Sequence, residues 1–545
     1  MNSTLLIPFL TCLSLGMAMS CKKKQHADLI VHNGSIYTVD GNFEISEAFA
    51  VRKGRFIATG TNEEILKYEA AEIIDLQGAF VYPGFIDAHA HFHGYGISLQ
   101  EADLTGSASF EELIKRVIKH REANPDQAWV LGRGWDQNLW EGKAFPNKEK
   151  LDELFPDTPV LLTRIDNHAA LANQKALDMG EVTASTSLLG GKVIMENGQP
   201  TGVLIDNAIG KVSGKIPEVT ESEARNALIA AQENCFKVGL TTVVDAGLDR
   251  ETIDLMDKMH REGSLKMRIY AMIQPSKENK DYYFEKGPHQ NDQLTVKSFK
   301  IYGDGALGSR GAALLAPYHD APEEQGFLLH TKEKFESLAR EIHQHGFQLN
   351  THGIGDSANR TILNIYAKIL KGENDRRWRI EHAQVVNGKD ISKFGRYRII
   401  PSVQPTHATS DMYWAEERLG PERIKDAYVF KDLLDQNGFI ALGSDFPVES
   451  INPLFGFHSA VARKDAENWP EKGFQVKNKL TREEALKGMT IWAAYANFEE
   501  KLKGSIEAGK LADFVIMERD IMTAPEEELR DLPVKKTYVG GERVY

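Results

Sequence analysis

Two histidines one residue apart, His89-Ala90-His91, follow the apolar run Tyr82-Pro83-Gly84-Phe85-Ile86-Asp87. Such a run reads as a strand, and alternate side chains of a strand point the same way, so both imidazoles can converge on one ion from its C-terminal end. Four more candidate ligands each end an apolar stretch: Lys300 in Ser298-Phe299-Lys300-Ile301-Tyr302, His352 in Asn350-Thr351-His352, His382 in Arg379-Ile380-Glu381-His382, and Asp445 in Leu442-Gly443-Ser444-Asp445. Any one of them alone reads more simply as a satisfied structural residue. Six at equivalent strand ends read as a ligand set. A further pair, His343-Gln344-His345, ends a helical pattern running from Glu333 and is set aside, because residues two apart on a helix do not face each other.

The elements that must carry these residues are legible between Val81 and about Ala496 as short apolar strands alternating with helices. Thr241-Thr242-Val243-Val244-Asp245 precedes a helix from about Glu251, and Phe347 to His352 follows one. Repeated strand and helix imply a parallel sheet, and the length implies closure into a (β/α)8 barrel, an α/β fold with about 31 residues per unit. His352 to His382 then spans one unit, His382 to Asp445 two, and Lys300 to His352 one with a long loop. The stretch from His91 to Lys300 holds roughly 115 residues more than three units need. That surplus lies at about 95–215, where Trp135, Pro146, Pro156, Gly190-Gly191 and Gly198-Gln199-Pro200 break the rhythm, and it predicts an insertion over the barrel mouth. The ligands would fall on strands 1, 1, 4, 5, 6 and 8, at the face where barrel active sites sit.

Outside the barrel, residues 27–82 alternate with period two between glycine turns such as Asn33-Gly34 and Lys53-Gly54, which predicts antiparallel strands. The same texture returns within 501–545, in Asp513-Phe514-Val515-Ile516-Met517 and Thr537-Tyr538-Val539. Neither piece is long enough for a sheet of its own, so both chain ends are expected to build one small β-sandwich, with the barrel at 83–500 inserted between them. The 545 residues exceed what one core accommodates, which agrees with a large domain plus an accessory one.

With 65 Lys and Arg against 78 Asp and Glu, the net charge of −13 repels phosphate backbones and excludes nucleic acid as the expected partner. Leu5 to Met19 is nearly all apolar yet shorter than the ~20 residues a membrane-spanning helix needs, so residues 1–20 read as a signal peptide. Ala18 and Ser20 before Cys21, with three lysines after it, resemble a bacterial lipoprotein cleavage site at which Cys21 becomes the lipidated first residue. That predicts a membrane-anchored protein of the bacterial cell envelope, touching the membrane through its lipid only. Cleavage there leaves Cys235 as the remaining thiol, so no intrachain disulfide forms and any metal must use His, carboxylate or modified Lys ligands.

Taken together, the motifs resemble the amidohydrolase superfamily. Lys300-Ile301-Tyr302-Gly303-Asp304-Gly305, His352-Gly353-Ile354-Gly355-Asp356, Glu381-His382-Ala383 and Ser505-Ile506-Glu507-Ala508-Gly509-Lys510-Leu511-Ala512-Asp513 are similar to the amidohydrolase family 3 branch, with its N-substituted formamide deformylase-like proteins. The resemblance runs from about Ala27 to Tyr545. It implies one or two divalent ions: His89, His91 and Asp445 on one, His352 and His382 on the other, and Lys300 carboxylated so that its carbamate can bridge them. Zinc is the default for such ligands, with nickel, manganese or iron as alternatives. It further implies a hydrolase that cleaves a non-peptide carbon–nitrogen bond of an amide or cyclic amide in a small-molecule substrate, through metal-activated water with Asp445 as the catalytic proton carrier. Trp135 in Arg133-Gly134-Trp135-Asp136 and His168 in Asp166-Asn167-His168 resemble family segments that approach the substrate, and Arg310 could meet a substrate carboxylate. Asp304 and Asp356, each beside glycines, are expected to orient loops, and His93 either lines the pocket or caps the strand. An ester hydrolase, isomerase or decarboxylase on the same barrel, or a lipoprotein that only binds small molecules, are the competing readings. A homo-oligomer is compatible with all of them.

Overall fold

The computed structural model describes residues 25–545; the expected signal peptide and Cys21 lie outside the described residues. Eight parallel strands form the centre: β1 (Phe85–Ala90), β2 (Leu240–Leu248), β3 (Arg268–Ile273), β4 (Leu294–Tyr302), β5 (Gln348–Gly353), β6 (Arg379–His382), β7 (Ile400–Val403) and β8 (Ala441–Leu442). Each pairs with its neighbour in chain order. Between β8 and β1 the ring is completed by two backbone bonds, Asp445 N to His89 O at 2.7 Å and His91 N to Phe446 O at 2.8 Å. Gly443 permits that approach, since a Cβ there would lie 2.5 Å from the His89 nitrogen. The barrel is therefore nearly closed, and its seam runs through the first and last candidate ligands.

Every residue of β1, β3, β5, β6 and β7 is buried, as expected for strands with helices outside and side chains filling the centre. This centre is unusually polar. Val244, Ala246, Tyr270 and Met272 form its small apolar cluster, while Lys300, Asn350, Arg379 and Glu381 are also fully enclosed. A buried charge is tolerable only when paired and hydrogen-bonded, so this polarity marks where the fold serves something other than packing.

The expected insertion follows β1. It carries a six-stranded sheet whose members run from Ala102–Asp103 to Gln199–Asp206, with its own apolar core around Leu104, Val117, Trp135 and Leu162. The chain ends form two facing sheets. Four N-terminal strands make one, and the other joins Ser35–Tyr37, Ile45–Ser46 and Phe80–Pro83 to the C-terminal Phe514–Met517, Val534–Val539 and Glu542–Arg543. Leu29, Phe49, Phe56, Phe514 and Tyr538 fill the space between them. One expectation is corrected here: the N-terminal strands are not all antiparallel. His26–His32 pairs in parallel with Glu69–Asp75, and Ser35–Tyr37 in parallel with Phe80–Pro83, because non-local partners close these sheets rather than successive hairpins.

The sandwich is tied to the barrel by a buried ion pair. Arg268 at the start of β3 donates to both oxygens of Asp513, at 2.5 and 2.8 Å. Cys235 is buried with a free thiol.

Candidate active site

The C-terminal ends of β1, β4, β5 and β6 and the loop after β8 bring all six expected ligands together. Nε2 of His89 and Nε2 of His91 lie 3.5 and 3.3 Å from Oδ1 of Asp445. Ligand atoms of these three residues all fall within 4.8 Å of one another. Lys300 Nζ is 3.1 Å from His89 Nε2, and the rings of His352 and His382 stand 4.5 Å apart, with His382 5.0 Å from His89. Each reaches the centre because parallel strands of one barrel end at one rim. Two of the ligands also need unusual backbone, with φ of 71° at His382 and 63° at Asp445, a left-handed conformation that non-glycine residues adopt at a cost and retain chiefly at functional sites.

The second nitrogen of each ligand is held from behind. His89 Nδ1 meets Glu381 Oε2 at 2.6 Å, His91 Nδ1 donates to Ala246 O at 3.1 Å, and His382 Nδ1 donates to Gln404 Oε1 at 2.8 Å. A ring that donates through Nδ1 presents the lone pair of Nε2, the form a metal requires. His352 is turned the other way, with Nε2 facing Gly305 O at 3.4 Å and Asp304 at 3.7 Å, so Nδ1 is its candidate ligand atom. Burial pushes the pKa of His89 down to about 4 and those of His352 and His382 well below the usual histidine range, so these rings stand neutral near pH 7. Burial acts to raise the Asp445 carboxyl, but the facing His91 and the neighbouring histidines outweigh that and hold it well below the usual carboxylate range.

The donor set fits a divalent cation. Oδ1 of Asp445 is buried and has no hydrogen-bond partner, although two imidazole nitrogens face it. An anionic oxygen left so is costly unless a cation completes it. Lys300 is fully enclosed beside this site, and burial lowers its amine to about 8.

Of the supports of this centre, Asp304 and Asp356 have an expected role from the sequence, whereas Glu381, Arg379 and Asp87 have none. Glu381 is wholly buried, its Oε2 on His89 and its Oε1 2.7 Å from Arg379 Nε. Arg379 in turn donates to Ala88 O, Ser402 Oγ and Asn497 Oδ1 at 2.5, 2.7 and 3.1 Å. Asp87 accepts from the backbone of His89 and from the Ser444 hydroxyl at 3.1 and 2.6 Å, and so pins β1 to the β8 loop. Asp304 accepts from the backbones of Ala313, Ile354 and Gly355, and Asp356 from that of Leu315, so both orient loops.

A cavity of about 700 Å³ opens over His352, His382 and Asp445, and a second of about 790 Å³ adjoins it over His91 and Lys300. Insertion residues Arg133, Asp166 and His168 face both. The His168 ring lies 5.0 Å from His352, and its Nδ1 is held by Asp206 at 2.5 Å. Two other substrate-contact expectations are corrected by their positions. Trp135 is fully buried in the core of the insertion, where its indole donates to Leu162 O at 2.7 Å, because the inserted sheet turns it inward. Arg310 lies on a separate cavity of about 450 Å³ and is paired with Asp320 at 2.8 Å, a carboxylate it shares with Arg418. His93 faces neither of the cavities over the ligands, and His345 stacks on Phe284 at 4.0 Å, far from ligand duty.

Comparison with known proteins agrees with this geometry. The sequence profile described as "Amidohydrolase family" matches residues 72–545. The "Protein LONG AFTER FAR-RED 3" of Arabidopsis thaliana is 34% identical over 95% of this chain and 92% of its own length. The "N-substituted formamide deformylase" of Arthrobacter pascens is 27% identical over 95% of this chain and 98% of its own. Among solved structures, an uncharacterised metal-dependent hydrolase from Pyrococcus horikoshii superposes with a TM-score of 0.75 at 28% identity, covering 91% of this chain and 99% of that one. A barrel with six convergent candidate ligands, matched in sequence across most of its length, identifies the chain as a member of the amidohydrolase family, a metal-dependent hydrolase family, in its family 3 branch.

Proposed function

We propose that this protein hydrolyses a non-peptide carbon–nitrogen bond in an amide or cyclic amide. The observation that carries the reading is the buried, unpartnered Oδ1 of Asp445 among ligands from five places on one barrel rim, beneath a cavity of substrate size. His89, His91 and Asp445 would hold one divalent ion, for which zinc suits the nitrogen and oxygen donors, and His352 and His382 a second. Such an ion supplies Lewis acidity, which polarises a carbonyl and acidifies water.

The chain's own residues do the rest. An ammonium 3.1 Å from a ligand nitrogen opposes a cation, so Lys300 would serve the centre as the anionic carbamate that its neutral amine forms with carbon dioxide, releasing a proton. Asp445 accepts the proton of the attacking water and returns it to the leaving nitrogen. Glu381 and Gln404 keep the imidazoles in register, and His168, steadied by Asp206, contacts the substrate from the insertion side. Support for an amide rather than another carbonyl compound comes from the formamide deformylase relative.

Metal analysis of the purified protein, combined with a screen of N-formyl, N-acyl and cyclic amides, tests the reading. Stoichiometric metal with hydrolysis is the expected result; stoichiometric metal with no amide cleaved refutes it. Asp445→Asn is expected to abolish turnover while substrate still binds. We also propose export as a lipoprotein anchored through Cys21, which mass spectrometry of the mature N-terminus tests; an unmodified Met1 overturns it.

A further inference from the structure

The cavity above the ligands extends past His382 to a second imidazole, His407, whose ring lies nearly parallel to it at 5.9 Å. Beyond that ring stand Asp411, at the end of the helix Pro405–Asp411, and Glu449, in the loop after β8. These two differ from the other charged groups of the wall. Arg164 neutralises Asp136 and Asp166, with the latter at 2.5 Å, and Arg133 acts on Glu101. Asp411 has neutral hydrogen-bond partners, the Tyr428 hydroxyl at 2.8 Å and Gln384 Nε2 at 3.2 Å. Glu449 accepts from the Ser410 hydroxyl at 2.7 Å. Neither carboxylate enters an ion pair among the described residues.

Arg164 also acts on Asp411, but its one charge is shared with Asp136 and Asp166, to which it is paired directly. His407 acts on both, but one imidazole can offset at most one of two carboxylates, and its buried Nε2 has no hydrogen-bond partner. Arg530 influences Glu449 from a distance while its guanidinium lies 3.8 Å over the Phe455 ring. Burial pushes both carboxyls up, Asp411 to about 7. Two half-buried carboxylates that line an open cavity without an ion-pair partner are stabilised when something positive enters beside them.

We infer that this wall recognises a cationic group, an ammonium or guanidinium, carried on the substrate beyond the bond that is cut. The inference rests on the hydrolase reading and names its substrate class: an amide whose substituent ends in a positive charge. The cavity, about 700 Å³, holds both ends of such a molecule at once, with the amide over the ligand cluster and the cation past His407. A neutral substituent would leave at least one of the two carboxylates without a full counter-charge, so the same wall discriminates against uncharged amides.

The test uses zinc-loaded protein and two probes matched in length, N-aminobutylformamide and N-pentylformamide. Both kcat/KM and the calorimetric dissociation constant are measured for each, in the native protein and in Glu449→Gln and Asp411→Asn/Glu449→Gln. The native protein is expected to favour the ammonium probe by roughly tenfold or more, a ratio that falls to about twofold or less in the double variant. A native ratio near one, or a preference that survives both substitutions, overturns the inference. Should the double variant not fold, as judged by circular dichroism, Glu449→Gln alone must still lower the ratio. Binding reports the preference even without turnover, so a protein that binds the ammonium probe selectively and cleaves neither refutes the hydrolase reading and leaves the recognition intact.

Discussion

Replacing Glu381 by Gln isolates the support behind the metal ligands. The substitution keeps the side-chain volume and removes one charge from a group with no exposed surface. In the native protein its oxygens take His89 Nδ1 at 2.6 Å and Arg379 at 2.7 and 2.9 Å. The amide must direct its NH2 either at the guanidinium, donor against donor, or at His89, which would force the opposite tautomer and remove the Nε2 lone pair from the ion. Removing one partner of a buried ion pair costs about 3–5 kcal/mol. Arg379 keeps three neutral acceptors, so a loss near the lower end, about 3 kcal/mol, is expected in urea unfolding. Zinc affinity, read by competition with a chromophoric chelator, should weaken by about 10- to 100-fold. Ser402→Ala serves as the control, because it removes one Arg379 acceptor and spares His89: about 1 kcal/mol of stability should go, with zinc affinity unchanged. An E381Q protein that retains both native stability and native zinc affinity would falsify the assignment of Glu381 as the support of His89.

The same carboxyl sets an acid limit: Arg379 and His89 overcome burial and hold it at about 2, so its stabilisation is present above the ordinary glutamate range and is lost as pH falls from about 4.5 toward 2; unfolding free energies across that interval should drop more in the native protein than in E381Q. Asp513→Asn should cost about 3–5 kcal/mol by stranding Arg268, and limited proteolysis should then release the C-terminal strands first. Asp411 carries the opposite sign. Burial raises its folded-state pKa to about 7, so the folded state holds the proton more tightly and stability declines as pH climbs from about 4 to 7. Asp411→Asn should therefore raise the melting temperature at pH 8 and leave it nearly unaltered at pH 5; a variant that melts lower at pH 8 contradicts the sign.

The convergence of the candidate ligands was legible because the barrel imposes a ruler on the chain. His89 and His91 were marked by strand alternation, and Lys300, His352, His382 and Asp445 by intervals that only a repeating strand and helix unit explains. Glu381 sat in plain view between Ile380 and His382 and was overlooked, although Arg379 and Glu381, two apart in a short apolar strand, must share a face and so announce a buried ion pair. Trp135 and Arg310 misled for a different reason. Whether an aromatic or a cation faces a cavity depends on what the insertion packs against it, and neither Leu162 O nor Asp320 is close in the pattern that drew attention to them. The parallel N-terminal pairs were hidden likewise, since Glu69–Asp75 joins His26–His32 across an intervening hairpin.

The sheet shared by the two chain ends bears on how the molecule is made. Phe80–Pro83 lies between Ser35–Tyr37 and Phe514–Met517, so one of its edges stays bare until more than four hundred further residues have been synthesised. Pairing over so long a separation is slow, and a bare apolar edge invites association with other chains in the meantime. A ribosome that stops short of the last strands therefore releases a polypeptide with an open, adhesive flank, and trimming or tagging the carboxyl end should be felt first as poor yield of soluble protein.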